Sequence, residues 1–149
     1  YGLWETKPET PGAPNELSMH FSEYAWLDED HPARRYTIRL DGFVSLHAPL
    51  AGGEITTRPL KFTGERLSMN YATSAAGSVF VEIQDAAGQA IDGYALEDCL
   101  EHYGDSVDQT VAWESGSDVS SLSDRPVRLR FVLKDADVYS FQFAGGDGE

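Results

Sequence analysis

The sequence predicts an all-β fold, an antiparallel β-sandwich of two sheets and of jelly-roll type. Apolar and polar residues alternate with a period of two along most of the chain, which is typical of strands with one face in a core. Turn-forming residues separate about ten such segments at regular intervals, as in sandwiches and jelly rolls. The strands do not alternate with long amphipathic helices, which argues against a parallel α/β sheet.

Five segments show the alternation most clearly, and they are predicted as strands: 16–21, 35–40, 66–71, 79–84 and 127–133. Less than about a tenth of the residues should be helical, in a single turn at 117–122. The residues expected to face the core are Ile38, Leu40, Leu67, Met69, Val79, Val81, Ile83, Leu129, Phe131 and Phe141.

Glycine, alanine and aspartate mark the predicted reversals between strands. Asp85–Gly88 follows the strand 79–84 and is expected to form a hairpin turn. Lys134–Asp137 should form a second hairpin, and 75–77 another reversal.

The two chain ends are expected to lie outside the sandwich, which we place at 17–143. Residues 1–16 include three prolines within ten residues, 5–14, so they are predicted as a linker or the exit from a preceding domain. Residues 144–149 are glycine-rich and predicted as a flexible tail. The chain of 149 residues opens without an initiator methionine, so it looks like one domain cut from a longer protein.

The charge balance excludes several classes of partner. The 25 acidic and 11 basic residues give a net charge of −14, which argues against binding nucleic acid or an anionic membrane. Sugars, metal ions or basic partners remain compatible with this charge. No apolar run approaches the length of about 20 residues that spans a bilayer.

No established catalytic motif is present, and we expect no catalytic residue. Cys99 would need a base such as His102 to act as a nucleophile. The favoured interpretation is that Cys99 is a small, partly buried structural residue. The other histidines, His20, His31 and His47, are scattered and are expected to be ordinary surface residues.

The densest acidic stretch is 97–108, which holds five carboxylates. Crowded like charges favour a cation between them, and calcium with its oxygen ligands is the candidate metal. The alternative is a solvated acidic loop. The acidic residues are Glu97, Asp98, Glu101, Asp105 and Asp108.

Aromatic side chains point to carbohydrate, because a flat ring stacks on the apolar face of a sugar while polar neighbours bind its hydroxyls. Trp113 has two possible roles, a core residue or an exposed ring on which a sugar stacks, since it alternates with the apolar Val111. Tyr24 and Trp26 are open between a ligand platform and a contact with another domain. The predicted carbohydrate-binding residues are Trp113, Tyr103, Tyr94, Arg128, Arg130, Glu82 and Gln84.

The last four of these residues alternate with predicted core residues, so they should form a polar sheet face if their strands adjoin. Arginine, glutamate and glutamine bind sugar hydroxyls in a planar, often bidentate way. The alternative is a set of cross-strand ion pairs on a solvated face.

Nearly the whole chain, roughly 15–143, resembles the C-terminal β-sandwich of secreted bacterial proteins similar to glycoside hydrolase family 32. In such proteins a β-propeller carries the catalytic carboxylates, and its motifs are absent here. The segments that carry the resemblance are 35–46, 53–64, 67–70, 81–88, 113–119, 126–133 and 137–141.

The resemblance implies a secreted or extracytoplasmic, non-catalytic accessory module of a carbohydrate-active protein. Carbohydrate binding is the leading expectation, with the parent catalytic domain as a second partner. The alternative is a structural module that docks on that domain through Trp4, Leu17, Tyr24 and Trp26. A standalone jelly-roll enzyme is the third possibility.

Overall fold

The computed structural model describes residues 2–22 and 33–145. Strands account for 55% of the residues and helix for 2%, in two antiparallel sheets, so the all-β prediction is confirmed. The jelly-roll connectivity stays a prediction. The chain forms two compact units, Tyr1–Val44 and Ser45–Glu149. A helix that could span a membrane is not found in the described ranges.

The first unit contains a sheet of three antiparallel strands in the order β1-β2-β3. Its first strand lies within the range that we expected to be a linker. The strands are β1 (Trp4–Thr6), β2 (Glu16–Ser22) and β3 (Ala33–Arg39).

The two faces of this sheet differ in character. Leu17 pairs with Ile38 and Met19 with Tyr36, so one face is apolar. On the other face, the guanidinium of Arg35 donates to Ser18 Oγ at 2.9 Å and to Glu16 Oε1 at 2.6 Å.

The second unit contains a sheet of five strands around a long central pair. β8 pairs with β6, β4 and β5, and β6 pairs with β7. A single 3₁₀ turn, Ser120–Leu122, lies inside the range where we expected one. The strands are β4 (Leu46–Ala48), β5 (Gly53–Thr56), β6 (Arg66–Asp85), β7 (Asp105–Thr110) and β8 (Val127–Ala144).

The hairpin predicted at Lys134–Asp137 is wrong, and so is the reversal at 75–77, because β8 and β6 run straight through these positions. The register passes from Thr73↔Ala136 to Ser78↔Lys134. Residues 74–77 therefore face Asp135 alone, which adopts a positive φ of 42°. The same turn-forming residues make a bulge here rather than a reversal.

The turn predicted at Asp85–Gly88 is present. Gly88 N donates to Asp85 O at 3.0 Å, and Asp85 Oδ1 accepts from Ala87 N and Gln89 N. Gly88 adopts φ 88°, which a residue without Cβ tolerates well. The chain returns to pair Gln84 with Ala90.

The core lies within the second unit and confirms most of the predicted inward set. The predicted core residues that are almost completely buried are Leu67, Met69, Val79, Val81, Ile83, Leu129 and Phe131. Ile38 and Leu40, in the first unit, are only partly buried.

Phe141 does not belong to the core, although we predicted that it would. Its side chain is 36% exposed. β4 and β5 pair with β8 no further than Val138, so Phe141 lies where β8 pairs on one side with β6. It still contacts the Phe131 ring, with 5.5 Å between the ring centroids.

We expect Gly77→Ala to destabilise the second unit. A Cβ at this position would lie against the carbonyl oxygen of Asp135 and 2.8 Å from that of Lys134, so the backbone must shift. Overpacking of this kind costs about 1–3 kcal/mol. Urea unfolding should show a lower midpoint for Gly77→Ala, whereas Gly145→Ala, with nothing within 4 Å, should unfold like the wild type. Equal midpoints would contradict the close approach.

Candidate functional site

The pairing of β6 with β8 brings together the four polar residues that we predicted on one sheet face. Glu82 pairs with Arg130, and Gln84 with Arg128. They alternate with buried core residues of the same strands, so they lie on the face opposite the core. The expectation that these strands adjoin is confirmed.

Arg130 is the centre of a hydrogen-bonded network on this face. Its guanidinium donates to Glu54 Oε2 at 2.6 Å and lies 3.5 Å from Glu82 Oε1. Glu82 also accepts from Gln84 Nε2 at 2.6 Å and from Leu96 N at 3.1 Å. The pKa of Arg130 is raised, first by its hydrogen bond to Glu54.

The two carboxylates of this network differ in accessibility. The Glu82 side chain is 8% exposed, whereas that of Glu54 is mostly exposed. Glu82 is therefore a structural anchor for Arg130, which in turn fixes the Glu54 carboxylate at the surface. The cross-strand ion pairs of the alternative interpretation are present, because Arg130 contacts both Glu54 and Glu82. The Glu54 carboxylate is also accessible to solvent on the side away from Arg130.

A depression of about 490 Å³ lies beside this network. Phe80 and Val132 pair across β6 and β8 on the same face as Arg130 and give the depression apolar walls. Glu54 belongs both to the depression and to the Arg130 network. We call this depression the Phe80 groove, and its lining includes Leu50, Glu54, Ser78, Phe80, Val132 and Lys134.

Sequence reasoning missed Phe80, Glu54 and Lys134. Phe80 carried a usable signal, because it is an aromatic residue at a solvent-facing position of the predicted strand 79–84. Glu54 and Lys134 gave no such signal, because their place depends on how β5 and β6 pair with β8.

Trp113 is a core residue, so its candidacy as a sugar platform is wrong. Only 1% of its surface is exposed, and its indole Nε1 donates to the Val81 carbonyl at 3.0 Å. Tyr94 packs edge-on against it, with 5.2 Å between the ring centroids. The Tyr94 hydroxyl donates to Asp118 O at 2.8 Å, so Tyr94 is held at the core boundary.

Tyr103 is exposed, unlike Trp113 and Tyr94, and 72% of its surface is accessible. Its carbonyl accepts from the Tyr71 hydroxyl at 2.8 Å. It forms one wall of a second depression of about 340 Å³, the Tyr103 pocket, lined by Ala75, Ala76, Gly77, Glu101 and Tyr103.

The acidic stretch 97–108 does not form the calcium site that we considered. Asp98 accepts from Ala95 N at 3.2 Å, and Asp108 lies 3.7 Å from the Arg66 guanidinium. Asp105 begins β7. Within residues 2–22 and 33–145, no three His, Cys, Asp or Glu side chains are placed to hold a metal ion.

Cys99 and His102 are both buried, as the favoured reading of Cys99 predicted. Burial raises the pKa of the Cys99 thiol, and its Sγ accepts from Val81 N at 3.2 Å. Burial lowers the pKa of His102. A thiol with a raised pKa is a poor nucleophile, so this arrangement does not favour a Cys–His catalytic pair.

A polar cluster of Ser45, His47 and Asp137 lies where β4 pairs with β8. Ser45 Oγ donates to Asp137 Oδ1 at 2.7 Å, and His47 Nδ1 lies 3.2 Å from Asp137 Oδ2. The carboxylate stands between the hydroxyl and the imidazole. This order differs from that of a nucleophile triad, in which the imidazole takes the hydroxyl proton.

The apolar patch expected for a docking module does not form as predicted. Trp4 pairs with Ser18, whereas Leu17 pairs with Glu5, so Trp4 and Leu17 lie on opposite faces of the sheet. Tyr24, Trp26 and His31 lie outside the described residues.

Comparisons with family models, with curated proteins and with solved structures gave no match to this chain.

We expect His102 to make the fold sensitive to acid. Its Nε2 is buried without a hydrogen-bond partner among the described residues, and its pKa lies below the usual 6.5. The unfolded chain therefore takes up this proton at a higher pH than the folded chain. The contribution of neutral His102 to the free energy of unfolding is complete above about pH 6.5. It decreases as the pH falls from there toward the pKa of His102 in the folded protein.

Urea unfolding between about pH 5 and 7.5 measures this effect. His102→Gln should have a smaller dependence on pH than the wild type. His20→Gln, at an exposed position, is the matched control and should keep the wild-type dependence. An unchanged pH dependence in His102→Gln would refute the assignment.

Proposed function

We propose that this chain is a non-catalytic β-sandwich module of a secreted bacterial carbohydrate-active protein and that it binds carbohydrate. The observation that carries the proposal is the Phe80 groove, in which an aromatic ring lies beside an oriented, accessible carboxylate. The resemblance of the sequence to accessory sandwiches of glycoside hydrolases supports the same proposal.

The groove offers the two kinds of contact that a sugar ring requires. The ring of Phe80 and the side chain of Val132 give the apolar CH face of a sugar a surface to pack on. Glu54 accepts hydrogen bonds from sugar hydroxyls, and the Lys134 ammonium donates them. Arg130 holds Glu54 in place, which lowers the ordering cost of binding.

The affinity should be modest, because the groove is shallow and has few fixed polar groups. A hydrogen bond to a hydroxyl replaces one to water and contributes about 0.5–1.5 kcal/mol net. The aromatic contact is therefore expected to provide a large share of the binding free energy.

The geometry of the carboxylates favours binding over hydrolysis. A glycosidase places two carboxyl groups on either side of the scissile bond. Here Glu54 and Glu82 both face the Arg130 guanidinium, and Glu82 is almost completely covered. Neither is placed opposite the other across an open cleft.

The apolar face of the first unit favours a second candidate function, a structural module that docks on a parent catalytic domain. Phe21 and Tyr36 pack edge to face there, with 5.8 Å between their ring centroids, and nearly half of each residue's surface remains exposed. A docking module of this kind would not bind glycans, so a binding screen separates the two functions.

We expect the wild type to bind at least one polysaccharide in an affinity-electrophoresis screen, and groove variants to bind more weakly. Phe80→Leu keeps an apolar side chain but removes the ring, and Glu54→Gln removes the charge. Each should weaken binding roughly 2- to 10-fold. Phe43→Leu, at an exposed phenylalanine outside the groove, should bind like the wild type.

Unfolding midpoints provide the control for fold integrity in each variant. If both groove variants keep the wild-type affinity, the Phe80 groove is not the carbohydrate-binding site. If the wild type binds no neutral or acidic polysaccharide, docking becomes the better account.

A further inference from the structure

The Phe80 groove and the Tyr103 pocket meet at the bulge of β6. Gly77 lines the pocket, and the next residue, Ser78, lines the groove. Lys134 lines the groove too, and its carbonyl lies 2.8 Å from where a Cβ on Gly77 would be. Residues 75–77 of the bulge therefore line the pocket, and the groove begins at the next residue along β6.

The two depressions present the same pair of chemical groups. The groove combines the Phe80 ring with the Glu54 carboxylate, and the pocket combines the Tyr103 ring with the Glu101 carboxylate. A ring and a hydroxyl-binding acceptor are what one sugar unit needs. Two such sites next to each other suit a ligand made of repeated sugar units, that is, a polysaccharide.

Hydrogen bonds to backbone groups hold the segment that carries Tyr103. Its carbonyl accepts from the Tyr71 hydroxyl. Gly104 N donates to Thr73 Oγ1 at 2.9 Å, and Thr73 N donates to Gly104 O at 2.8 Å. His102, the residue before Tyr103, exchanges two backbone hydrogen bonds with Val79. The Tyr103 ring is thus presented from an ordered backbone, which reduces the entropy lost on binding.

Charge indicates which kind of polymer suits these depressions. The chain carries a net charge of −14, and each depression adds an exposed carboxylate. A polyanionic glycan would be repelled by this field. A neutral polymer with many hydroxyl donors meets no such cost.

We propose that the Phe80 groove and the Tyr103 pocket are successive subsites for one neutral polysaccharide chain that crosses the β6 bulge. This inference rests on the proposed function and specifies its ligand as an extended neutral chain rather than a single sugar. A hexasaccharide occupies both subsites, whereas a disaccharide occupies one.

Calorimetric titration with disaccharides and hexasaccharides of cellulose, xylan, mannan and starch tests the proposal. The hexasaccharide of the preferred series should bind the wild type up to about tenfold more tightly than its disaccharide. Tyr103→Ala and Phe80→Leu should both weaken hexasaccharide binding, and only one of them should weaken disaccharide binding. Tyr103→Phe keeps the ring and should behave like the wild type.

Glu101→Gln should weaken hexasaccharide binding, and Glu97→Gln, a neighbouring exposed carboxylate that lines neither depression, is its matched control. Tyr103 is largely exposed, so Tyr103→Ala should unfold at the wild-type midpoint. If the hexasaccharide binds Tyr103→Ala as tightly as the wild type, or if both ring variants weaken both lengths alike, the two-subsite proposal is overturned. If the wild type binds none of these sugars, both the two-subsite proposal and the proposed binding of neutral glycans are refuted.

Discussion

The pairing of β6 with β8 is the constraint on which the second unit depends. Because side chains alternate along a strand, one register sets both faces at the same time. Pairing Val81 with Phe131 fills the core, and pairing Glu82 with Arg130 places the polar network on the opposite face of the sheet. A shift of one residue would exchange these two sets, so the core and the candidate site are not independent features.

The same network shows how a nearly buried carboxylate is tolerated in this sheet. An ionised Glu82 without partners would carry a large desolvation cost. Arg130, Gln84 Nε2 and Leu96 N all contact its two oxygens, which offsets that cost. The contacts that hold the sheet face together therefore also hold Glu54 in its surface position, so the proposed binding site depends on the same contacts that stabilise the sheet.

The sequence predicted local features of the fold well and long-range ones less well. Period-two alternation identified the strands and the buried residues Val79, Val81 and Leu129, because one residue's face follows from its neighbours. The alternation did not distinguish a turn from a bulge at 75–77 and 134–137. Glycine and aspartate are common in both structures, and the pairing with a distant strand decides which of the two forms. The groove depends on three strands pairing side by side, so Glu54 carried no local signal. Whether Trp113 lies in the core also depends on long-range contacts, among them its hydrogen bond to the Val81 carbonyl.

The bulge also determines where this sheet can accept a change in chain length. In a regular ladder, one inserted or deleted residue turns every later side chain to the opposite face. Residues 74–77 already stand opposite the single residue Asp135, so a change of length among them alters the bulge and leaves the pairing of Ser78 with Lys134 in place. An insertion or deletion at the bulge should therefore change the lining of the Tyr103 pocket while the core keeps its register.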